Sequence, residues 1–427
     1  MPQPTTVVLI GSAYPLRGGL ATYNERLIRE YIRLGSSASI VTFSLQYPSL
    51  LFPGKTQYST DPAPLGIPIQ VKLNSVNPLN WLSVGNEIKK ARPDLVIVKY
   101  WMPFMAPCFG TVCRLIRKNR HSRVVSVIDN IIPHEKRPGD RLLSSFFVNS
   151  VDGFVAMSHS VMEDLVSFDN KKPKLYCPHP LYDNFGDAIS KQEARKNLGL
   201  DPSSRYALFF GFIRDYKGLD LLLEAFGTEA LRNSGIKLLV AGEFYCDPAP
   251  YHEIIKRHGL GDTVIMSNDF IPDSKVVNYF CSADVIVQPY KSATQSGVTQ
   301  IAYHFDKPMI ITDVGGLAEF VPHEQVGFVV KPDKQAIASA ILEFYTSGRE
   351  AEFSANAAVE KQKYSWKRMV EAINAAMGGD QGPGTREQGT GNREQVVVSS
   401  HCSPVTFTLF SHQSPIKLYI RNVIYRS

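Results

Sequence analysis

Apolar, β-branched runs recur along the chain, separated by segments whose apolar residues fall at helical spacing. The first series includes TTVVLIGSA, SASIVTFSL, LVIVKY, RVVSVID, GFVAMS and KLYCPH; the second includes YALFFGF, IKLLVAG, TVIMSN, VIVQPY, PMIITD and VGFVV. Strand and helix alternating in this way form parallel sheets with covering helices. The pattern predicts an α/β protein of two Rossmann-like domains of similar size with a cleft between them. A polar, turn-rich stretch, PLYDNFGDAISKQEARKNLGLDPSSR, separates the series and reads as a linker with a short helix. The expected boundaries are 1–185 and 186–362, with a helix within 363–378 (SWKRMVEAINAAM) crossing back onto the first domain. Residues 379–427 open with the Gly-rich DQGPGTREQGTGNREQ, which cannot bury a core, and are expected to lie outside the fold as a disordered tail.

Length and composition narrow the class. The chain has 427 residues, 44% apolar and 20% charged, enough for two or three full cores. Its longest apolar runs fall far short of the roughly 20 residues a membrane span needs. The opening MPQPTTVVLIGSAYP enters a strand pattern without a basic flank, so no signal peptide and a cytoplasmic location are expected. Six cysteines show no C-x-x-C pairing and no His at metal-ligand spacing, which predicts reduced thiols and no zinc. The net charge of +6 is uneven: residues 1–185 hold 21 Lys plus Arg against 13 acids (+8), and residues 186–378 hold 20 against 24 (−4). A basic first half meets an anionic partner or is merely basic. Arg114, Arg117, Lys118 and Arg120 cluster at one helix end, as a solvated face or as a surface for anionic lipid headgroups. No nucleic-acid partner is expected.

Five loops carry candidate chemistry. In GSAYPLRGGLATYNERL, Gly18 and Gly19 precede a helix whose free first-turn amides can meet an anion or a sugar hydroxyl, or they serve only a tight turn. The spacing is not G-x-G-x-x-G, which argues against a dinucleotide site. In FFGFIRDYKGLDLLLEAF, a strand ends at Gly211 and the next loop presents Arg214 and Lys217, a fork and a point charge suited to a diphosphate. VIDNIIPHEKRPGDR brings Asp129, Asn130, His134, Glu135, Lys136 and Arg137 to one strand end, for acid/base work, acceptor binding or plain solvation. PYKSATQSGVTQIAYHFDKP has no acid between Lys291 and Phe305, and its Thr294-Gln295-Ser296-Gly297 centre suits backbone amides closing around an anion at a helix start. Downstream, in DVGGLAEFV, Glu319 can face the cleft or cap a helix.

Taken in order, strand–GGLATYNERL, SHSVMEDL, strand–GFIRDYKGLDLLLEAF, VIVQPYKSATQSGVTQIAYHFDKPMIITDVGGLAE and YSWKRMVEAI resemble the retaining glycosyltransferases of family 4, which have the GT-B fold. The resemblance covers residues 5–377 and is most specific in the second domain. It implies transfer of a sugar from a nucleoside diphosphate donor with retention at the anomeric carbon, without a metal or other cofactor. It maps the diphosphate-holding cations onto Lys217 and Arg214, the latter displaced because Phe212 stands where the family more often has Arg. The family's E-x7-E motif falls on Ser292 and Gln300, so both acids are gone; Gln300 keeps a carbonyl acceptor for the ribose, and Ser296 and Gly297 keep amides for the phosphate. Where many members have a His, this chain has Asp129, with His134 as a possible substitute.

The expected function is therefore a GT-B glycosyltransferase of polysaccharide biosynthesis, acting on a saccharide or lipid-linked saccharide acceptor. Lys217, Arg214, Asp129 and His134 are its expected catalytic residues, and Gly18, Gly19, Ser296, Gly297, Gln300 and Glu319 are expected to bind the donor. A position at the inner face of an anionic membrane is compatible with the charge of the first domain. The alternatives are a nucleotide-sugar epimerase or a phosphorylase on the same fold, and a non-catalytic sugar-nucleotide-binding subunit.

Overall fold

The computed structural model describes residues 3–48, 52, 56–133 and 137–378. His134, Glu135, Lys136 and the tail 379–427 lie outside the described residues.

The first sheet contains seven strands, β1 (Thr6–Ile10), β2 (Ser37–Leu45), β3 (Ile69–Asn74), β4 (Leu95–Tyr100), β5 (Arg123–Ile128), β6 (Gly153–Ala156) and β7 (Lys174–Tyr176), in the order β3-β2-β1-β4-β5-β6-β7. The second contains β8 (Arg205–Phe210), β9 (Ile236–Ala241), β10 (Val264–Ser267), β11 (Val285–Gln288), β12 (Met309–Thr312) and β13 (Gly327–Val330), in the order β10-β9-β8-β11-β12-β13. The paired strands of both sheets are parallel. The two sheets are thus Rossmann-like, each with its strand order reversing at one point, between β1 and β4 and between β8 and β11. Ligands of such sheets bind where the loops diverge at that reversal.

Burial follows from residue type. Every residue of β4, LVIVKY, is buried, Lys99 included. One apolar core runs from the first sheet beneath the helix Gly19–Arg33, past Tyr182 and Phe185, into the second domain; the opposite face of each sheet has a core of its own. The linker helix Lys191–Asn197, capped by Ser190, is bolted to the second domain through Arg195, which donates to Asp284 at 2.9 Å. The last described helix, Trp366–Met377, packs on β5, β6, β7 and the helix Gly19–Arg33. Tyr31 donates to Asn374 at 2.9 Å there, and Gly153 lies so close to the Ala376 carbonyl that a Cβ would fall on it. The described residues form one compact unit. Among the described residues, no helix is long and apolar enough to cross a membrane.

Candidate active site

The loop after β8 and the loop after β11 meet over the reversal point of the second sheet. Gly211 has φ 100° and Gly218 has φ 67°, left-handed values that glycine tolerates. A Cβ on Gly211 would lie 3.0 Å from Lys217 Nζ, and one on Gly218 would strike the Pro289 carbonyl. The Lys291 amide then donates to Tyr216 O at 2.7 Å, fastening one loop to the other.

This turn leaves Lys217 lodged against backbone. Burial first, and Arg214 second, pull its ammonium down to about 8. The nearby acids Asp215 and Asp220 pair with Lys291, not with Lys217. Arg214 stands 5.2 Å from the Tyr245 ring centroid, and Tyr245 stacks on Phe212 at 4.3 Å. Phe212 in turn fills the space beside Gly18, its ring 3.7 Å from where a Cβ there would be.

Two helix starts meet across the cleft. Gly18, with φ 99°, precedes the helix Gly19–Arg33; Ser296 caps the helix Gly297–His304 by accepting from the Val298 amide at 3.2 Å. Tyr182 lies between them, donating to Gly19 O at 2.8 Å, and a Cβ on Gly297 would come 2.8 Å from its ring. Gln300 is buried on this second helix, 1% exposed, and its Oε1 has no hydrogen-bond partner among the described residues.

The first domain reaches these loops through the end of β5. Asp129 Oδ1 accepts from Lys99 Nζ at 2.8 Å and from Gln295 Nε2 of the opposite domain at 2.9 Å. Asn130 Oδ1 accepts from Thr294 Oγ1 at 2.6 Å. Arg17 pairs with Glu243 and lies 4.1 Å above the Phe270 ring, while Thr22 donates to Asp273 at 3.1 Å. Glu319 accepts from the His159 amide at 3.1 Å, at the start of the first-domain helix His159–Val166, so it caps a helix of the other domain.

Gly18, Gly19, Asp129, Arg214, Lys217, Ser296, Gly297 and Gln300 thus gather around one cleft, and Glu319 bridges it toward His159. Sequence reasoning gave no role to Lys99, the Gln295 side chain, Tyr182 or the Arg17–Glu243 pair. The one local signal was a lysine inside the otherwise apolar LVIVKY. Among the described residues, no group of three or more His, Cys, Asp or Glu side chains is placed to hold a metal ion.

Comparison with known proteins agrees with this architecture. Residues 17–176 match the model of Glycosyltransferase Family 4, and residues 204–347 match Glycosyl transferases group 1. The chain is 25% identical over 367 residues to TuaC of Bacillus subtilis (strain 168), named provisionally as a teichuronic acid biosynthesis glycosyltransferase, covering 79% of this chain and 88% of that one. It is 23% identical over 397 residues to the uncharacterized glycosyltransferase MJ1607 of Methanocaldococcus jannaschii, covering 86% and 97%. Among solved structures, Alr3699/HepE of Anabaena in complex with UDP superposes with a TM-score of 0.67 at 17% identity, over 87% of this chain and 98% of that chain. That likeness shows the GT-B fold.

Proposed function

The chain is a glycosyltransferase of the family 4-like, GT-B type, and from that premise we propose that it moves a sugar from a nucleoside diphosphate donor to a saccharide or lipid-linked saccharide acceptor, with retention of anomeric configuration. The observation that carries this reading is Lys217, a cation lodged against Gly211 while the loop's own acids are taken by Lys291. A diphosphate would supply the missing negative charge. Related folds hold such a donor: Alr3699/HepE has been crystallised with UDP and with UDP-glucose.

Each group then has a task. Lys217 and Arg214 neutralise charge as the diphosphate leaves, the step most in need of electrostatic help. The helix start at Ser296-Gly297 offers amides to phosphate, and the helix start at Gly18-Gly19 faces it from the first domain. Gln300 accepts from a ribose hydroxyl. Asp129 approaches the sugar from the first domain. The basic residues 1–185 provide the acceptor side, compatible with an anionic bilayer surface carrying a lipid-linked acceptor.

The test is to incubate the protein with UDP-, ADP- and GDP-hexoses without acceptor and to follow release of the sugar by proton NMR, which also reads the configuration of the first-formed anomer. Release with retention is expected. Binding without release would reduce the protein to a sugar-nucleotide binder, and an inverted anomer would overturn retention.

A further inference from the structure

The hydrogen-bonding of Asp129 extends the cleft site inward. We propose that Lys99 is a positioning residue for the sugar half of the donor: its buried ammonium grips one oxygen of the Asp129 carboxylate so that the other is presented to a sugar hydroxyl. This rests on reading the cleft as a nucleoside diphosphate sugar site.

Lys99 is 2% exposed, and its Nζ lies 3.5 Å from the Tyr23 ring centroid. Burial lowers its pKa and Asp129 pulls it back up. A buried ammonium is costly to keep, and an apolar side chain of similar volume often serves stability as well or better. The charge therefore needs a reason beyond packing, and its salt-bridge partner is Asp129.

The hydrogen-bond arrangement supplies one. Oδ1 receives a donor from each domain, Lys99 and Gln295, which engages both its lone pairs. Oδ2 has no partner among the described residues, and the side chain remains 12% exposed. A carboxylate held twice at one oxygen cannot turn, so Lys99 and Gln295 fix where Oδ2 stands. Among the described residues, Tyr23, Tyr182 and His179 beside this pair bring no positive charge. Burial raises the Tyr23 and Tyr182 hydroxyls, keeping them protonated, and burial, with Lys99 second, brings His179 down to about 3, keeping it neutral. A free carboxylate oxygen is a strong acceptor for a hydroxyl.

The experiment compares wild type, Lys99→Met, Asp129→Asn, the double variant and Gln295→Leu by titration with UDP, ADP, GDP, UDP-glucose, ADP-glucose and GDP-mannose, following the pair that wild type binds best. The readout is the affinity for the sugar nucleotide divided by that for its bare nucleotide. This ratio is expected to fall about tenfold or more in Lys99→Met and in Asp129→Asn, no further in the double variant, and part of the way in Gln295→Leu. Bare-nucleotide affinity is expected to stay within about threefold throughout.

An unchanged ratio in Lys99→Met would overturn the proposal. So would single effects that multiply in the double variant, or a bare-nucleotide affinity that falls in step, which is what a packing role predicts. If Lys99→Met does not fold, an unchanged ratio in Asp129→Asn or Gln295→Leu overturns it equally. Turnover is not part of this readout, so a wild type that binds donors without releasing sugar sinks the transferase reading and leaves this one standing.

Discussion

At the scale of single residues, the site is defined by polar groups without hydrogen-bond or ion-pair partners among the described residues. The pKa of Lys217, about 8 in the folded chain, lies below the 10.5 of a free lysine, so its charge is disfavoured by folding and restored by an anion. The stability it contributes is therefore present above 10.5 and lost as pH falls through about 8. Lys217→Met should then hold or raise the melting temperature at pH 7 while weakening nucleoside diphosphate binding by roughly 10- to 100-fold. In wild type, calorimetric affinity should be flat from about pH 7 to 8, where the terminal phosphate is already dianionic, and decline above it, and Lys217→Met should abolish that decline; a variant that loses stability and keeps its affinity would assign the lysine to packing. Gln300 poses the matching question for ribose, because its buried Oε1 has no hydrogen-bond partner among the described residues. An orphaned buried acceptor costs about 1–3 kcal/mol, so Gln300→Leu should leave the free protein as stable or more so, yet weaken the nucleoside diphosphate by about 1–2 kcal/mol. Wild type should lose affinity when the 2'- or 3'-hydroxyl is removed, and the Leu variant should bind the parent and deoxy analogues alike. Equal binding of all three by wild type would remove Gln300 from the ribose.

At the scale of elements, the helix starts matter because an aromatic ring lies between them. Gly297→Ala would press a methyl into Tyr182, 2.8 Å away, and should cost about 1–3 kcal/mol in denaturant unfolding. Tyr182→Phe, which loses only the bond to Gly19 O, should cost about 1 kcal/mol; if Gly297→Ala were neutral, the wedge would not be tight. The same elements show what a sequence can disclose. The second sheet's strands were legible as continuous apolar runs, because both faces of a parallel sheet are covered. Strand β3, IQVKLN, escaped because it is an edge strand paired with β2, with Val71 exposed, and it carries no such run. The cations after β8 and the glycine turn were legible because a loop's chemistry is local. Lys99–Asp129, Tyr182–Gly19 and Arg17–Glu243 were not, since their members stand 30, 163 and 226 residues apart and only the topology joins them.

At the scale of the whole molecule, the two domains are closed on each other, and carboxyls with raised pKa values stand beside the contacts that close them. Arg17–Glu243, Asn130–Thr294, Asp129–Gln295 and Glu319–His159 cross the cleft as ion pairs or hydrogen bonds. Beside them sits a group of carboxyls, where Thr22 donates to Asp273 across the domain boundary and Asp61 accepts from the Asp273 amide at 3.2 Å. Glu25, on the first-domain helix, is raised to about 7 by burial and then by Asp273, against the Tyr14 amide and Arg29. Asp273 is raised to about 6 by burial and then by Asp61, against Thr22. Both pKa values lie above those of free carboxyls, and part of each shift acts across the domain boundary, Asp273 on Glu25 and Asp61 on Asp273, so closure is expected to take up protons. The stability they lend to closure is fully present below about pH 4 and is lost as pH rises through 6 and 7. Small-angle scattering on the ligand-free protein should accordingly give a larger radius of gyration at pH 7.5 than at pH 5. Glu25→Gln combined with Asp273→Asn should remove that difference, since neutral amides neither titrate nor repel, and should leave the radius near its acidic value. A wild-type radius that does not move over this range, or a double variant that still expands on raising the pH, would show that the carboxyls do not govern closure.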